Sequence, residues 1–302
     1  MKAFWQSGLA RSFRRDRAAQ FAFAVFAAFA FAAVFAGILA PYNPYNPLEI
    51  DLLDSETPPV WSEGGELRFI LGTDAQGRDL LSAILYGLRI SIIIGVFAVL
   101  LQAFLGVAIG LISGYAGGRV DAALMRAADI QLSFSPFMAA IVALALFQAL
   151  FGAERYEELA IYMLILVIGI AEWPQYARTV RAVVLAEKEK DYIAAARALG
   201  YPPLRIILRH LFPNTLTPVL VISTVQTANA IITEASLSFL GLGMPVTRPS
   251  LGSLIHAGFE HIFSGEWWLI FFPSAALVFL ILSANMLGDF LRDELNPRRN
   301  PS

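Results

Sequence analysis

The sequence contains no cysteine and few charged residues. Only 15% of its 302 residues are Asp, Glu, Lys or Arg, whereas a soluble globular chain carries about 25%. The absence of cysteine excludes disulfide scaffolds, zinc–thiolate sites and cysteine nucleophiles. The net charge of −2 argues against a nucleic-acid partner, because such partners are bound through basic surfaces. The composition therefore argues against an ordinary soluble enzyme and against a nucleic-acid-binding protein.

Apolar residues take the place of the missing charges. They make up 57% of the chain, and the mean hydropathy is +0.63. A helix needs about 20 mostly apolar residues to cross the hydrocarbon core of a bilayer. Six stretches reach about this length without the alternation typical of strands, and only one of them contains a charge, Glu172. We therefore predict an all-α membrane protein with six transmembrane helices, within residues 18–48, 90–118, 130–153, 159–177, 211–233 and 267–288.

The first of these spans follows a basic segment, as the core of a signal peptide does. Its apolar core runs from Gln20 to Ala40 and includes six Phe. A signal peptide has an apolar core of only about 7–15 residues. The length therefore favours a retained membrane anchor over a cleaved signal.

The basic residues predict the orientation and the organisation of the chain. A cytoplasmic N-terminus would place 17 of the 22 Lys and Arg residues inside, so the positive-inside rule predicts that both termini are cytoplasmic. Residues 1–89 then hold a tail, the first helix and an outside segment long enough for a small folded lid. Residues 90–290 form a five-helix domain with a cytoplasmic loop at 178–210, and residues 291–302 form a second cytoplasmic tail.

Two spans carry patterns of side chains that point to packing or transport. Three glycines recur at four-residue spacing in the second span, which favours a face that another helix approaches closely over a random scatter of small residues; they are Gly106, Gly110 and Gly114. The fifth span contains a polar stripe of Ser223, Gln226, Thr227, Asn229 and Thr233. Because polar groups in lipid are costly, this stripe should face protein or water. It either lines a polar pathway or hydrogen-bonds neighbouring helices, and the sequence favours neither.

The 178–210 loop predicts a short helix held between two spans. Asp191 is a suitable N-terminal cap, and several alanines favour a helix with little bulk. Gly200 can end that helix in the left-handed conformation, and Pro213 opens the next span. Such a helix could insert into a groove on another protein. On physical reasoning alone, a simpler interpretation ranks first: a basic cytoplasmic loop with a helix that lies at the membrane interface.

Several blocks of sequence change that ranking. DYIAAARALG followed by LFPN resembles the EAA loop of bacterial ABC-importer permeases. PQYARTVRAVVL, EASLSFLGLG, LGTDAQGRDLLSAILYGLRIS and NMLGDFLRDELNP resemble the peptide-importer branch and cover most of residues 71–297. The chain is therefore identified as a member of the dipeptide/oligopeptide/nickel permease family. Two positions depart from the family pattern: Ala194 stands where the motif has its glutamate, and Asn296 stands where an Asp is more usual.

The resemblance implies a fold, a location and partners. It implies the type I ABC-importer permease fold in the bacterial cytoplasmic (inner) membrane. It also implies a second permease subunit, two ATP-binding subunits, and a periplasmic or extracellular solute-binding protein. The second permease is either another copy of this chain or a distinct relative, and the family usually uses a distinct one. Residues 191–200 would be the coupling helix that docks on an ATPase subunit, and the loop positions concerned are Asp191, Ala194, Ala195, Ala196, Arg197, Gly200 and Pro213. ATP and Mg would bind to the partner ATPases and no cofactor to this chain, which has no GxxxxGK[ST] loop.

Two other classes of protein compete with this interpretation. A secondary transporter driven by an ion gradient would need ionisable residues near the middle of the membrane, and five of the six spans contain none. A membrane-bound enzyme would need a catalytic motif. His256, Glu260 and His261 have neither the HExxH nor the HxxEH spacing, so we expect no metal site. The family's motifs leave the substrate open among peptides, nickel complexes and other small solutes.

Overall fold

The computed structural model describes residues 8–46 and 49–295. Lys2 of the basic segment and residues 296–302, which include Asn296, lie outside the described residues. Within these ranges nearly all regular structure is helical, with one isolated bridge between Thr73 and Asp79. The α-helices are α1 (Gly8–Arg15), α2 (Arg17–Val34), α3 (Ala36–Leu39), α4 (Leu80–Ala116), α5 (Gly118–Ser133), α6 (Pro136–Phe151), α7 (Ala153–Ala171), α8 (Trp173–Glu187), α9 (Asp191–Ala198), α10 (Pro203–Ile206), α11 (Phe212–Phe239), α12 (Leu251–Glu260) and α13 (Trp268–Glu294).

Four helices are long and apolar enough to cross a membrane, and two bent helix pairs raise the number to six if each pair is one span, in agreement with the predicted architecture. Four are continuous and lie at 17–34, 80–116, 203–239 and 268–294. The other two are bent pairs, α5 with α6 at 83° and α7 with α8 at 43°. An even number of spans leaves both termini on the same side, and the distribution of Lys and Arg makes that side the cytoplasm.

The bends correct the predicted third and fourth spans, which we expected to be single helices. Pro136 begins α6, and Ser135 before it has φ −64° and ψ 122°. A proline lacks a backbone N–H and disfavours the helical conformation in the preceding residue, so α5 ends before it. Pro174 follows the second break, at Glu172, in the same way. The proline positions thus divide two apolar stretches that hydropathy alone joins.

The second span is longer than its charge-free stretch. α4 has 37 residues and so extends about 55 Å at 1.5 Å per residue. It begins at Leu80, where the Asp79 side chain accepts a hydrogen bond from the Ser82 backbone N–H at 2.8 Å. A helix can continue beyond the hydrocarbon region, so Arg89 does not end it.

The predicted 178–210 loop is mostly helix. α8 continues to Glu187, and α10 passes through a π-helical turn, Ile207–Leu211, directly into α11. Pro213 is therefore the second residue of α11 and directly follows the π-helical turn, and its missing N–H removes one hydrogen bond where the helical pattern changes. The true connection is 188–202, with α9 at its centre.

The outside segment folds over the outer ends of the helices. Arg78 and Asp74 form a buried ion pair at 2.7 Å. Arg78 also donates from Nη1 to the carbonyl of Val246 at 2.9 Å, which joins this segment to the loop before α12. Below it, α4 is the central helix and contacts α2, α7, α8, α11, α12 and α13.

Candidate functional site

The three glycines of the second span lie against α8. A Cβ atom on Gly106 would lie 2.3 Å from the Cβ of Tyr176. On Gly110 it would lie 2.6 Å from the carbonyl oxygen of Ala177, and on Gly114 it would lie 2.7 Å from the Cβ of Val184. Real Cβ contacts are never this short, so α4 and α8 can approach this closely only because these positions have no side chain.

Ion pairs fix the cytoplasmic end of the same helix pair. Arg181 on α8 binds Asp121 on α5 through two contacts, Nε to Oδ1 at 2.5 Å and Nη2 to Oδ2 at 2.6 Å. Ser113 of α4 also donates to Asp121. Lys188 donates from Nζ to the carbonyl of Gly114 at 3.1 Å. α8 is therefore tied to both α4 and α5 immediately before the chain enters α9.

The N-terminus of α9 differs from the prediction. Lys190 occupies the cap position, with φ −77° and ψ 148°, and its side chain makes no capping hydrogen bond. Asp191 is instead the first residue of the helix. Its carboxylate still lies in the first turn, where a negative charge interacts favourably with the helix dipole.

The C-terminus of α9 has the geometry of a Schellman motif. Gly200 has φ +73°. Its N–H donates to the carbonyl of Arg197 at 2.9 Å, and the N–H of Tyr201 donates to the carbonyl of Ala196 at 3.1 Å. A Cβ atom on Gly200 would meet nothing within 4 Å, so the positive φ alone favours glycine here.

The two faces of α9 have different environments. Ile193 and Ala196 are buried and belong to a cluster with Val184, Ile206 and Leu211. Ala196 therefore packs on its own chain, because it follows Ile193 by three residues and shares its face. The outward positions are Asp191, Ala194, Ala195, Arg197, Ala198 and Leu199.

Hydrogen bonds connect α9 to the helices on both sides. Tyr192 donates its O–H to Glu187 at the end of α8. Asn214 of α11 donates from Nδ2 to the Tyr192 hydroxyl at 3.2 Å and to the carbonyl of His210 at 2.8 Å. Partial burial and the neighbouring Glu187 carboxylate raise the pKa of Tyr192 to about 12. The hydroxyl therefore stays protonated at neutral pH. Because Tyr192 bonds to Glu187 of α8 and to Asn214 of α11, a displacement of α9 would act on both helices.

The polar stripe of α11 divides into two groups. Ser223 and Thr227 donate to backbone carbonyls of their own helix, at 2.9 and 2.8 Å, and Ser223 accepts from the Tyr176 hydroxyl at 3.1 Å. Gln226, Asn229 and Thr233 instead line a small cavity between helices. Part of the stripe therefore packs, and part lines a polar space.

The cavity contains two polar residues that sequence reasoning did not select. Gln102 of α4 and Glu172 at the break between α7 and α8 line it together with Gln226. Gln102 lies alone in a long apolar run, which was a usable signal. Glu172 is the one charge within the predicted fourth span, and the structure places it at the break between α7 and α8, inside the bent span.

A second buried acid lies nearer the outside. Glu234 of α11 is fully buried and accepts hydrogen bonds from Ser91 at 2.8 Å and Ser238 at 2.7 Å. Ser91 in turn accepts the N–H of Leu251 at the start of α12, at 3.4 Å. This network joins α4, α11 and α12 beneath the outside loop.

The histidines that suggested a metal motif lie apart from this network. His256 packs edge-on against Phe239 with ring centroids 5.9 Å apart, and His261 lies 3.0 Å from Glu56. Over the part of the chain that the structure describes, no three His, Asp or Glu residues cluster closely enough to hold a metal ion.

The fold and these sites define a multi-pass membrane transport subunit, with a polar cavity between its helices and a short cytoplasmic helix tied to two spans. Residues 106–301 match the family described as "Binding-protein-dependent transport system inner membrane component". Residues 3–59 match the N-terminal transmembrane domain of oligopeptide transport permease C. The chain belongs to this family of bacterial inner-membrane permeases.

Curated relatives agree with the assignment. The chain is 34% identical to the di/tripeptide transport system permease protein DppC of Pseudomonas aeruginosa over 80% of this chain and 76% of the relative. It is 36% identical to the dipeptide permease DppC of Haemophilus influenzae over 80% of this chain and 78% of the relative. A putative peptide permease of Brucella suis is 39% identical over 77% of this chain and 74% of that protein.

A solved structure supports the fold. The chain is similar to one in an inward-facing structure of the MetNI methionine ABC transporter, with a TM-score of 0.52 and 20% identity. The match covers 72% of this chain and 96% of that chain. At this identity the likeness establishes the type I permease fold.

Proposed function

We propose that this chain is one permease subunit of an ATP-driven importer of peptides. The observation that carries the proposal is α9, a short helix exposed on the cytoplasmic side and tied to two membrane helices through Tyr192. Peptide and dipeptide permeases are its relatives over about four-fifths of its length, which supports peptides as the substrate class.

The outward face of α9 is the proposed docking surface for an ATPase subunit. Ala194 and Ala195 are exposed and small, and the side chain of Leu199 is 72% exposed. With Ala194 in place of the motif glutamate, docking rests on this shape, on the flanking charges of Asp191 and Arg197, and on the Gly200 turn. Ala196 contributes indirectly, because it holds the helix against its own chain.

The proposed assembly has four kinds of component. This chain pairs with a second permease subunit, a distinct relative, and two ATP-binding subunits bind ATP and Mg on the cytoplasmic side. A solute-binding protein delivers peptide from outside. ATP binding favours one conformation of the assembly over the other, and the differential affinity shifts the population between them. In this scheme the chain itself catalyses no reaction.

The cavity end of the polar stripe is the proposed translocation pathway. Asn229 is exposed at the middle of α11, where contact of an amide with lipid would be costly. Its Nδ2 group donates to Gln226 Oε1 at 2.9 Å. Asn229 is therefore suited to a surface that faces the second permease or a polar passage, and Gln226 lies buried behind it. If so, Gln226→Leu lowers uptake, whereas unchanged uptake would assign the stripe to packing.

Energy dependence tests the proposal against a secondary transporter. The complete complex is reconstituted in vesicles, and peptide uptake is measured with and without ATP and with a protonophore. An ABC importer requires ATP and is unaffected when the proton gradient collapses. Uptake that survives without ATP and stops with the protonophore would refute the proposal.

A further inference from the structure

The small cavity in the middle of the helix bundle collects polar groups from three parts of the fold. Gln102 comes from α4, Glu172 from the break between α7 and α8, and Gln226 and Asn229 from α11. The remaining wall is mainly apolar. Such a concentration of polar side chains inside membrane spans is costly unless it serves a function.

Two buried atoms of this cavity lack hydrogen-bond partners. Gln102 is 1% exposed and donates from Nε2 to the Ile168 carbonyl at 3.1 Å, but its Oε1 has no partner among the described residues. Gln226 is 3% exposed, and its side chain lies within reach of the Glu172 carboxylate, but its Nε2 makes no hydrogen bond of normal length and angle among the described residues. Unsatisfied buried polar atoms are rare, and each calls for a partner, which can be a water, an ion or a group of a ligand. One acceptor and one donor are therefore left for such a partner in this cavity.

Glu172 gives the cavity its charge. Its carboxylate accepts a hydrogen bond from Gln175 at 2.6 Å, and it forms no ion pair with any described basic residue. No Lys, Arg or His lines the cavity. The cavity thus offers a carboxylate and an amide oxygen as acceptors, beside the amides of Gln226 and Asn229 and the hydroxyl of Thr233. This combination attracts a cation that carries several N–H donors and repels a carboxylate.

The volume of the cavity further restricts which chemical group of a ligand could fit in it. Its volume is about 20 Å³, which is room for about one water-sized group. An ammonium group has this size and carries three donors.

We propose that this cavity is a subsite for the protonated amino terminus of the transported peptide, with Glu172 and Gln102 binding the ammonium group. This inference rests on the proposed function, since it requires a peptide as substrate. It assigns a role to Glu172 and Gln102, which lie outside the α11 stripe.

The test compares variants of Glu172 in the complete reconstituted transporter. Glu172→Gln keeps the size of the side chain and removes its charge, whereas Glu172→Asp keeps the charge. Glu158→Gln, on the exposed outer turn of the same helix, is the matched control. The measured quantities are the initial rate of uptake of a free-amino peptide at pH 7 and the number of peptides imported per ATP hydrolysed.

We expect Glu172→Gln to lower both the uptake rate and the number of peptides per ATP about tenfold. In the separate variant Glu172→Asp, both quantities should stay within about threefold of the wild type. The control Glu158→Gln should change neither. Uptake within twofold of the wild type in Glu172→Gln overturns the inference. So does a loss of uptake with an unchanged number of peptides per ATP, because that result indicates impaired assembly rather than lost recognition. A wild-type complex that imports no peptide refutes the proposed function and this inference with it.

Discussion

The contact between α4 and α8 depends on the absence of side chains at three glycines, and Gly110 provides the most direct test. A Cβ atom there would lie 2.6 Å from the carbonyl oxygen of Ala177 and 2.7 Å from the Cβ of Val180. Favourable contacts between such atoms are about 3.5–4.0 Å long. Gly110→Ala therefore requires α8 to move away from α4 by about 1 Å along their shared face.

Two opposing effects determine how much Gly110→Ala changes the free energy of unfolding. Overpacking of this kind costs about 1–3 kcal/mol. Replacing glycine by alanine within a helix stabilises the helix by up to about 1 kcal/mol, because alanine has the higher helix propensity. The net loss in the free energy of unfolding is about 1–2 kcal/mol, which lowers the melting temperature by about 2–8 °C in a chain of this size class.

Thermal unfolding of the purified complex, in one detergent and at one heating rate, measures this loss. Gly37→Ala is the matched control, because Gly37 lies in a short helix and its added Cβ would be 3.5 Å from the Tyr86 hydroxyl, an ordinary contact. We expect the control to melt at the wild-type temperature or slightly above it. Equal melting temperatures for the Gly110 variant and the control would refute the packing argument.

Three further predictions concern the ends of the molecule. Gly200→Val should reduce peptide uptake, because a positive φ costs a β-branched residue about 1–2 kcal/mol, whereas Gly200→Asn should retain most of it; equal uptake by the two would contradict the turn geometry. Arg78→Gln should lower the melting temperature strongly, since it leaves Asp74 as an unpaired buried charge at a cost of about 3–5 kcal/mol; an unchanged melting curve would contradict this. Asp121→Arg should impair uptake, because it removes the ion pair between Asp121 and Arg181. Adding Arg181→Asp reverses the pair and should restore part of the uptake; no restoration would contradict a role of this ion pair in transport.

Features set by local chemistry could be predicted from the sequence. The left-handed turn at Gly200 follows from a glycine after an alanine-rich helix and before two prolines. The close approach at Gly106 and Gly110 follows from their four-residue spacing, which places them on one helix face. The number of spans follows from hydropathy, because each apolar stretch must lie in lipid or in the core.

Features that depend on several helices could not be predicted in the same way. An alanine-rich helix has little amphipathic pattern, so the sequence does not show that Ala196 faces inward while Ala195 faces out. The sequence shows Glu172 only as a charge that interrupts the apolar stretch of the fourth span. Only the packing of three other elements around it makes it part of a cavity, and no short-range spacing encodes that arrangement.

The central claim is that α9 is the contact through which an ATPase subunit acts on this chain. Because the chain has no native cysteine, Ala195→Cys on the exposed face of α9 gives a single reactive thiol. A thiol-to-amine cross-linker is applied to the active complex, with Leu53→Cys, 92% exposed on the outside segment, as the control. The account predicts an adduct between position 195 and an ATP-binding subunit, with a yield that changes on adding ATP, and none from position 53. An active complex that gives no adduct from position 195 would contradict it.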